Sequence, residues 1–181
     1  MRIISGSLKG RLIKRPKHIQ PTQDKVRKAL FDILGDINDM SFLDLFAGSG
    51  AVGLEALSRG VSRVVFIEAN RDCIKKIKQS VHALGLLNWR IIGLDVSLAL
   101  KQLNKRDEKF EIVFLDPPYY QGLAKKTLKM LSRYDIVSVP GLVICQHFKK
   151  DALPQEADDL RLTRQVKYGD TLLSFYKKRR E

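Results

Sequence analysis

The chain has 181 residues, of which 44% are hydrophobic, so it is long enough for one domain with a full core and too apolar to be disordered. Its formal net charge of +13 suits a polyanionic partner, although surface charge can also serve solubility alone. No apolar run has the length of a membrane span, and the scattered cysteines and histidines form no metal or redox spacing, so we expect a cytoplasmic protein that holds no metal.

The N-terminal segment carries much of the positive charge. Residues 1–17 alternate apolar and polar side chains around Gly6 and Gly10, which predicts a short hairpin. Over residues 1–28, nine Lys and Arg stand against one Asp, so a net charge of +8 falls in about a seventh of the chain. A solvated edge strand also carries Lys and Arg, but their concentration favours a nucleic-acid contact. The residues expected to bind RNA are Arg2, Lys9, Arg11, Lys14, Arg15, Lys25 and Arg27.

A first helix is predicted from Pro21 and Thr22 to about Leu34, with Thr22 as its N-cap and Gly35 at its end. Its apolar stripe is formed by Val26, Leu30, Ile33 and Leu34. The basic side chains that lie off this stripe, and could extend the basic surface, are Lys25, Arg27 and Lys28.

From Phe42 the pattern becomes strand, tight turn and helix. The strand is Phe42–Phe46, the turn reads G-x-G-x-x-G at Gly48, Gly50 and Gly53, and a second strand ends at Glu68. This spacing between the glycines and the acid is typical of a nucleotide site, where the glycines let the backbone approach the ligand and the acid accepts hydrogen bonds from the ribose hydroxyls. The sequence therefore predicts a nucleoside-containing cofactor.

The same glycine spacing also fits NAD, so other residues must distinguish between NAD and S-adenosylmethionine. Asp44 lies near the end of the strand before the glycines, where it could receive an ammonium group but would repel a pyrophosphate. No separate substrate domain follows, as a dehydrogenase usually needs. Both features favour S-adenosylmethionine.

The rest of the chain alternates helices and strands without repeats or long linkers. The lysines of the helix capped by Asn70 are expected to form a solvated face. Asp95 could accept the adenine amino group, cap the helix from Val96, or do both. The further predicted elements are strand Trp89–Ile92, helix Val96–Leu103, strand Ile112–Leu115, a helix near Leu123–Leu131, strand Leu142–Cys145, a strand pair near Leu160–Val166 and Leu172–Tyr176, and a tail at Lys177–Arg180. We expect one domain over 1–181, with 1–20 as a basic hairpin extension and 21–181 as the cofactor-binding core.

The stretch Asp116-Pro117-Pro118-Tyr119 follows the apolar strand Ile112–Leu115. Proline cannot continue a ladder and favours an extended residue before it, so the strand ends where its carboxyl end meets solvent, the edge at which α/β sheets bind ligands. An isolated stretch of this kind could equally be an ordinary turn. Beside a cofactor site, however, it can hold an amine: Asp116 accepts one N–H, the Pro117 carbonyl accepts the other, and Tyr119 stacks on the ring. A target base would have to leave its stack to reach these groups.

These motifs carry a family resemblance. LDLFAGSG at 43–50, Glu68 and DPPY at 116–119 resemble a class I S-adenosylmethionine-dependent methyltransferase acting on amino nitrogens. Together with RIISG and KGR near the N-terminus, the Pro-Thr…Lys-Val-Arg…Ala-Leu-Phe helix and Tyr168-Gly169-Asp170-Thr171, the chain resembles, nearly end to end, the bacterial small-subunit rRNA guanine-N2 methyltransferases of the RsmD type.

The resemblance implies an α/β, Rossmann-like class I methyltransferase fold, whose mostly parallel sheet has seven strands, one of them antiparallel, and helices on both faces. It also implies methylation of the N2 amine of one guanine in 16S rRNA, with a partly assembled small subunit as substrate, and we expect a monomer. The expected catalytic residues are Asp116, Pro117 and Tyr119. The expected cofactor-binding residues are Asp44, Phe46, Ala47, Gly48, Ser49, Gly50, Glu68, Ala69, Asp95 and Val96.

Two residues depart from the family pattern, and two other functions stay open. Gln20 replaces a usual Arg, which could weaken a phosphate or cofactor contact, and Gln146 replaces a usual Glu, which puts an acidic role near that strand in doubt. One alternative is an N5-glutamine protein methyltransferase, although its amine-holding motif usually begins with Asn. The other is a non-catalytic RNA-binding assembly factor, against which the intact DPPY stretch argues.

Overall fold

The computed structural model describes residues 1–13, 24–119 and 122–179. The chain divides into two compact units, Met1–Leu94 and Asp95–Glu181, called here the first and second unit. The single domain expected from the sequence stays a prediction. In the part of the chain that is described, no helix combines the length and the apolar character needed to cross a bilayer.

The first unit is a parallel βαβ arrangement. Its elements are α1 (Asp24–Leu34), β1 (Ser41–Leu45), α2 (Ala51–Ser58), β2 (Arg63–Ile67), α3 (Arg71–Ala83) and β3 (Trp89–Ile92). The strands run in the order β3-β2-β1, and β2 pairs in parallel with both neighbours. Every residue of β1 is buried, as expected for a parallel strand covered on both faces.

Residues 1–13, called here the N-terminal arm, form a small antiparallel arch. Arg2 pairs with Leu12 as an isolated bridge, and the Ile13 amide donates to the Met1 carbonyl at 2.9 Å. The predicted hairpin is thus present in short form, while its expected continuation over 14–17 lies outside the described residues, as does the Thr22 cap. Ile3 and Ile13 are buried, so the arm packs its apolar side inward.

The second unit is built on mixed pairing. Its elements are α4 (Val96–Lys105), β4 (Phe110–Leu115), α5 (Leu123–Arg133), β5 (Val137–Phe148), β6 (Glu156–Ala157), β7 (Leu160–Tyr168) and β8 (Thr171–Lys178). The order is β4-β5-β8-β7-β6, with β4 and β5 parallel and the other pairs antiparallel. The described residues thus form eight strands where seven were expected, and the additional one is the two-residue β6, too short to give a sequence signal.

Long-range pairing extends β5 and β8 past their predicted C-terminal ends. β5 continues through Phe148, since Gln146, His147 and Phe148 pair with Leu173, Leu172 and Thr171 of β8. The tail predicted at Lys177 instead belongs to β8, where Lys177 pairs with Leu142 and Lys178 donates to Asp135 at 2.7 Å.

The prediction that Arg27 lies on the surface is wrong. Only 5% of Arg27 is exposed, and its guanidinium donates to the Arg2 carbonyl at 2.6 Å and to Asp24 at 2.9 Å. Burial lowers the pKa of Arg27, although Asp24 and Glu55 favour its charged form. Arg27 therefore ties α1 to the N-terminal arm and cannot contact a phosphate in this conformation.

Candidate active site

The glycine turn of the first unit is held by two carboxylates. Asp44, near the end of β1, is 1% exposed and accepts a hydrogen bond from the Gly53 amide at 2.9 Å. Glu68, which follows β2, accepts from the Gly48 amide and from the Asn70 amide, each at 2.7 Å. Backbone donors thus hold both acids in place beside the turn.

The glycines are required for close packing as well as for backbone shape. A Cβ at Gly53 would lie 2.3 Å from the Phe66 ring, and one at Gly50 would lie 2.9 Å from Ile77. Gly50 also has φ +75°, a conformation that costs little only for glycine. The turn therefore brings the start of α2 against β2 and leaves bare backbone at the carboxyl ends of the strands.

The other expected cofactor residues of the first unit flank this turn. Phe46 has φ +59° and directs the chain out of β1, and the Ala47 amide donates to the Ile67 carbonyl at 3.0 Å. Ser49 is buried, whereas Ala69 is exposed beside Glu68. These positions stay predictions as cofactor contacts.

In the second unit, Asp95 is the N-cap of α4. Its Oδ1 accepts from the Ser97 amide at 2.8 Å and from the Ser97 hydroxyl, and these bonds lower the pKa of Asp95. The capping alternative is confirmed, and the carboxylate remains exposed, so a second acceptor role toward an adenine stays a prediction. Val96 is buried in the first turn of α4.

Asp116 leaves β4 into a partly desolvated site. One of its oxygens accepts a hydrogen bond from Gln146 Nε2 at 3.0 Å. Burial raises the pKa of Asp116 to about 7, and the Gln146 bond opposes that rise. The carboxyl group is therefore balanced between its charged and neutral forms near neutral pH. Pro117, the next residue, is buried.

Tyr119 is held by two residues of β5 and β8. Its hydroxyl lies 3.2 Å from Thr171 Oγ1, and its ring centroid lies 5.9 Å from that of Phe148. Phe148 and Thr171 are paired across the β5–β8 ladder. Burial raises the pKa of Tyr119, so this phenol stays neutral at neutral pH.

Three residues of this group have no site role in the sequence prediction: Gln146, Phe148 and Thr171. Gln146 was visible only as a departure from a family pattern, and Thr171 only as the end of Tyr168-Gly169-Asp170-Thr171. The antiparallel pairing of β5 and β8 brings all three to Asp116 and Tyr119, and no local signal reports that pairing.

The expected RNA-binding residues divide into exposed, buried and undescribed ones. Arg2, Lys9, Arg11 and Lys25 are exposed, Arg27 is buried, and Lys14 and Arg15 lie outside the described residues. In the arm, the Arg2 guanidinium donates to the Gly10 carbonyl at 2.8 Å, which keeps the arch closed.

Glu55 of α2 anchors the N-terminal arm, a role that the sequence did not indicate. This fully buried carboxylate accepts from the Ile4 amide at 2.7 Å and the Ser5 amide at 2.9 Å. Ser58 continues the contact, because its carbonyl accepts from the Ser7 amide at 2.8 Å. A Cβ at Gly6 would lie 1.8 Å from that carbonyl oxygen, so the arm fits here only with glycine.

Comparison with known proteins gives whole-chain matches. A family model described as "Conserved hypothetical protein 95" matches residues 1–177. The chain is 37% identical to "Putative rRNA methyltransferase YlbH" of Bacillus subtilis, over 99% of this chain and 100% of that protein. It is 32% identical to "Ribosomal RNA small subunit methyltransferase D" of Escherichia coli K12, over 98% of this chain and 90% of that protein.

A solved structure supports the fold. "Putative methyltransferase yhhF" from Escherichia coli superposes with a TM-score of 0.87 at 32% identity, covering 98% of this chain and 97% of that one. The expected Rossmann-like methyltransferase fold is thereby confirmed, with β6 as the additional strand.

Proposed function

The chain belongs to the conserved hypothetical protein 95 family, and from that premise we propose that it methylates the exocyclic N2 amine of a guanine in small-subunit rRNA, with S-adenosylmethionine as methyl donor. The names of its relatives support an rRNA substrate. The observation that carries the chemistry is Asp116: a half-buried carboxyl group with a single described side-chain donor, directly after a strand and near the aromatic ring of Tyr119.

The first unit fits the proposed cofactor. A carboxylate offers about four lone-pair positions, and Glu68 uses two for backbone amides, which leaves acceptors for two ribose hydroxyls. Asp44 supplies a negative charge suited to an ammonium group. Asp95, which belongs to the second unit, is proposed to accept an adenine amine while it caps α4. When bound, S-adenosylmethionine supplies a methyl group on a positively charged sulfur.

The residues of the second unit prepare the amine. An exocyclic amine is a poor nucleophile because its lone pair is delocalised into the ring. Asp116 accepts one N–H and the Pro117 carbonyl accepts the other, which lets the nitrogen pyramidalise and aim its lone pair. Tyr119 stacks on the base, and its own position is fixed by Thr171 and Phe148.

Asp116 also accounts for the proton. A nitrogen that gains a methyl group must lose a proton to return to neutrality. A carboxylate with a pKa of about 7 can take that proton and release it to solvent afterwards. It also stabilises the positive charge that develops on the nitrogen in the transition state.

The N-terminal arm supplies contacts to RNA phosphates. Arg2, Lys9 and Arg11 are exposed on an arch whose backbone is fixed by Glu55, and Lys25 is exposed on α1. Lys14 and Arg15 continue the same basic stretch of sequence and belong to this proposal. The substrate is a flipped-out base on an assembling small subunit in the cytoplasm, and the protein acts there as a monomer.

The deciding experiment uses labelled methyl transfer. Wild-type protein is incubated with S-adenosylmethionine carrying a labelled methyl group and, in parallel, with unmodified 16S rRNA, with small-subunit particles from cells lacking the protein, and with total protein. Label in one N2-methylguanine, located by mass spectrometry, supports the proposal. Label in a glutamine side chain would establish the protein methyltransferase instead, and RNA binding without any transfer would establish the assembly factor.

The same assay tests the arm. Replacing Lys9, Arg11, Lys14 and Arg15 with Ala should weaken RNA binding and flatten its log–log salt dependence by several units, at about 0.7–0.9 per phosphate contact. Cofactor affinity should stay at the wild-type value. Parallel salt lines for the wild type and the variant would remove the arm from the RNA contact.

A further inference from the structure

Helix α5 carries a one-sided basic surface, called here the α5 stripe. Its basic residues are Lys125, Lys126, Lys129 and Arg133, and the helix contains no acid. All four are exposed, whereas Ala124, Thr127, Leu128 and Leu131 are buried. At 3.6 residues per turn, the four basic positions fall within about 100° of the helix circumference.

The α5 stripe is not used for ion pairing. Within 1–13, 24–119 and 122–179, none of its four side chains forms an ion pair, although other basic residues of the second unit do. Lys149 lies 2.6 Å from Asp170, and Lys178 lies 2.7 Å from Asp135. Four neighbouring cations without acids repel one another, so this surface is suited to an anion from outside the chain.

Helix stability does not explain the α5 stripe either. Lys125 and Lys126 lie in the first turn, which contains no acid, and Gly122 provides no side-chain cap. Positive side chains at a helix N-terminus oppose the helix dipole, so stability alone would favour acids at these two positions.

The α5 stripe is close in sequence to the residues assigned to the reaction. Leu123, the first residue of α5, is only four positions beyond Tyr119. Lys126 lies near enough to Asp95 for its charge to favour the ionised carboxylate. From Lys125 to Arg133 the stripe extends about 12 Å along the helix axis, which is long enough to follow a backbone rather than a single ion.

We propose that the α5 stripe binds the phosphates of the RNA strand next to the target base, as a second RNA contact in addition to the N-terminal arm. This inference rests on the proposed function, because it takes the polyanion to be the RNA that Asp116 and Tyr119 act on. The second unit would then have its own contact with the RNA, separate from that of the N-terminal arm.

The test compares two variants that each remove three charges from one helix. In the α5 variant, Lys125, Lys129 and Arg133 are replaced with Ala, which leaves Lys126 beside Asp95 unchanged. In the matched α3 variant, Lys75, Lys76 and Lys78 are replaced with Ala. Alanine favours helix in both, and thermal melting checks that both variants remain folded.

Filter binding of unmodified 16S rRNA is measured over a salt series, together with S-adenosylmethionine affinity and labelled-methyl transfer. The α5 variant should lose about two units of log–log salt slope, at 0.7–0.9 per phosphate, and its KM for RNA should rise about tenfold or more. The methyl-transfer rate at saturating RNA and the cofactor affinity should stay close to wild type. In the α3 variant the salt slope should stay close to wild type, and the KM for RNA, the methyl-transfer rate and the cofactor affinity should each change less than about threefold.

Each result has one meaning. Equal losses in the two variants would show that only net charge matters, and an unchanged slope in the α5 variant would show that the helix does not touch RNA; either result overturns the inference. If wild type binds RNA but transfers no methyl group, the proposed function fails while the slopes still decide about α5. Wild-type protein can also be bound to anionic lipid vesicles. If it binds them more tightly than it binds RNA, and the α5 variant loses that binding, the α5 stripe contacts a membrane and the inference is overturned.

Discussion

The carboxylates of the two units differ in their hydrogen-bond donors: the main chain holds those of the first unit, and a side chain holds Asp116 in the second. In the first unit, Glu68 accepts two backbone amides and Asp44 accepts one, so each acid is fixed by the main chain. In the second unit, Asp116 is half-buried with a single described side-chain donor, Gln146, and desolvation raises its pKa to about 7. A residue that binds a ligand gains from being held in place, whereas one that takes part in proton transfer gains from a pKa near the working pH.

This contrast predicts different failures. Changes at the first unit's acids should alter cofactor affinity and leave the rate at saturation nearly intact. Changes at Asp116 should alter the rate and leave cofactor affinity intact.

The largest effect is expected from Asp116→Asn. The amide has nearly the same shape, but it has lost the charge and cannot take up a proton. Methyl transfer in a single-turnover assay with saturating enzyme should fall by about two to three orders of magnitude, the scale of one lost transition-state interaction. Calorimetric affinity for S-adenosylmethionine should match wild type. Asp107→Asn, an exposed acid of the same unit, is the control and should react at the normal rate.

A smaller effect, on binding instead of rate, is expected from Glu68→Ala. Two charge-assisted hydrogen bonds to the ribose, each worth about 1.5–3 kcal/mol, would be lost. Titration calorimetry should then show an S-adenosylmethionine affinity at least about a hundredfold weaker.

Glu68→Gln separates this role from support of the turn, since the amide oxygen can still accept one backbone N–H. Unchanged affinity in both Glu68 variants would remove this residue from the site. Tighter binding of NAD than of S-adenosylmethionine by wild type would overturn the cofactor assignment itself.

The smallest effect concerns pH. Since burial raises the pKa of Asp116 to about 7, the carboxyl group is protonated below that pH and ionised above it. The value of kcat/KM should therefore rise about tenfold per pH unit below 7 and level off above it. In Gln146→Leu the donor that favours the ionised form is gone, so the midpoint should move upward by about one pH unit.

Gln165→Leu is the matched control for this pH effect. Gln165 also donates through its side-chain amide, but to Ser174 Oγ at 2.8 Å, so its removal should leave the midpoint in place. If the pH midpoint moves equally in both variants, or in neither, Gln146 has no specific effect on the pKa of Asp116.

Sequence predicts well where a function is encoded by neighbours along the chain. The strand, glycine turn and helix from β1 to α2, the acid at Glu68 and the Asn70 cap all depend on residues within a few positions of each other or on a fixed spacing. Asn70 indeed accepts from the Asp72 and Cys73 amides at 2.9 and 3.1 Å.

Prediction fails where a role is set by distant pairing. Gln146, Phe148 and Thr171 are brought to the site by the β5–β8 ladder, and the N-terminal arm contributes to burying Arg27 through the Arg2 carbonyl. Glu55 is the clearest case: an acid in a short helix is expected to be solvated, yet this one is fully buried under the backbone of residues 4 and 5.

Helix α2 connects the glycine turn, proposed to bind the cofactor, with the N-terminal arm, proposed to bind RNA. It begins at Ala51, directly after the N-cap Gly50 in the glycine turn, and its second half, through Glu55 and Ser58, holds the N-terminal arm. Eight residues of helix, about 12 Å long, leave little room for one end to move without the other. If cofactor binding changes the affinity for RNA by some factor, RNA binding must change the affinity for the cofactor by the same factor. The coupling free energy between the two sites is therefore the same whichever ligand binds first.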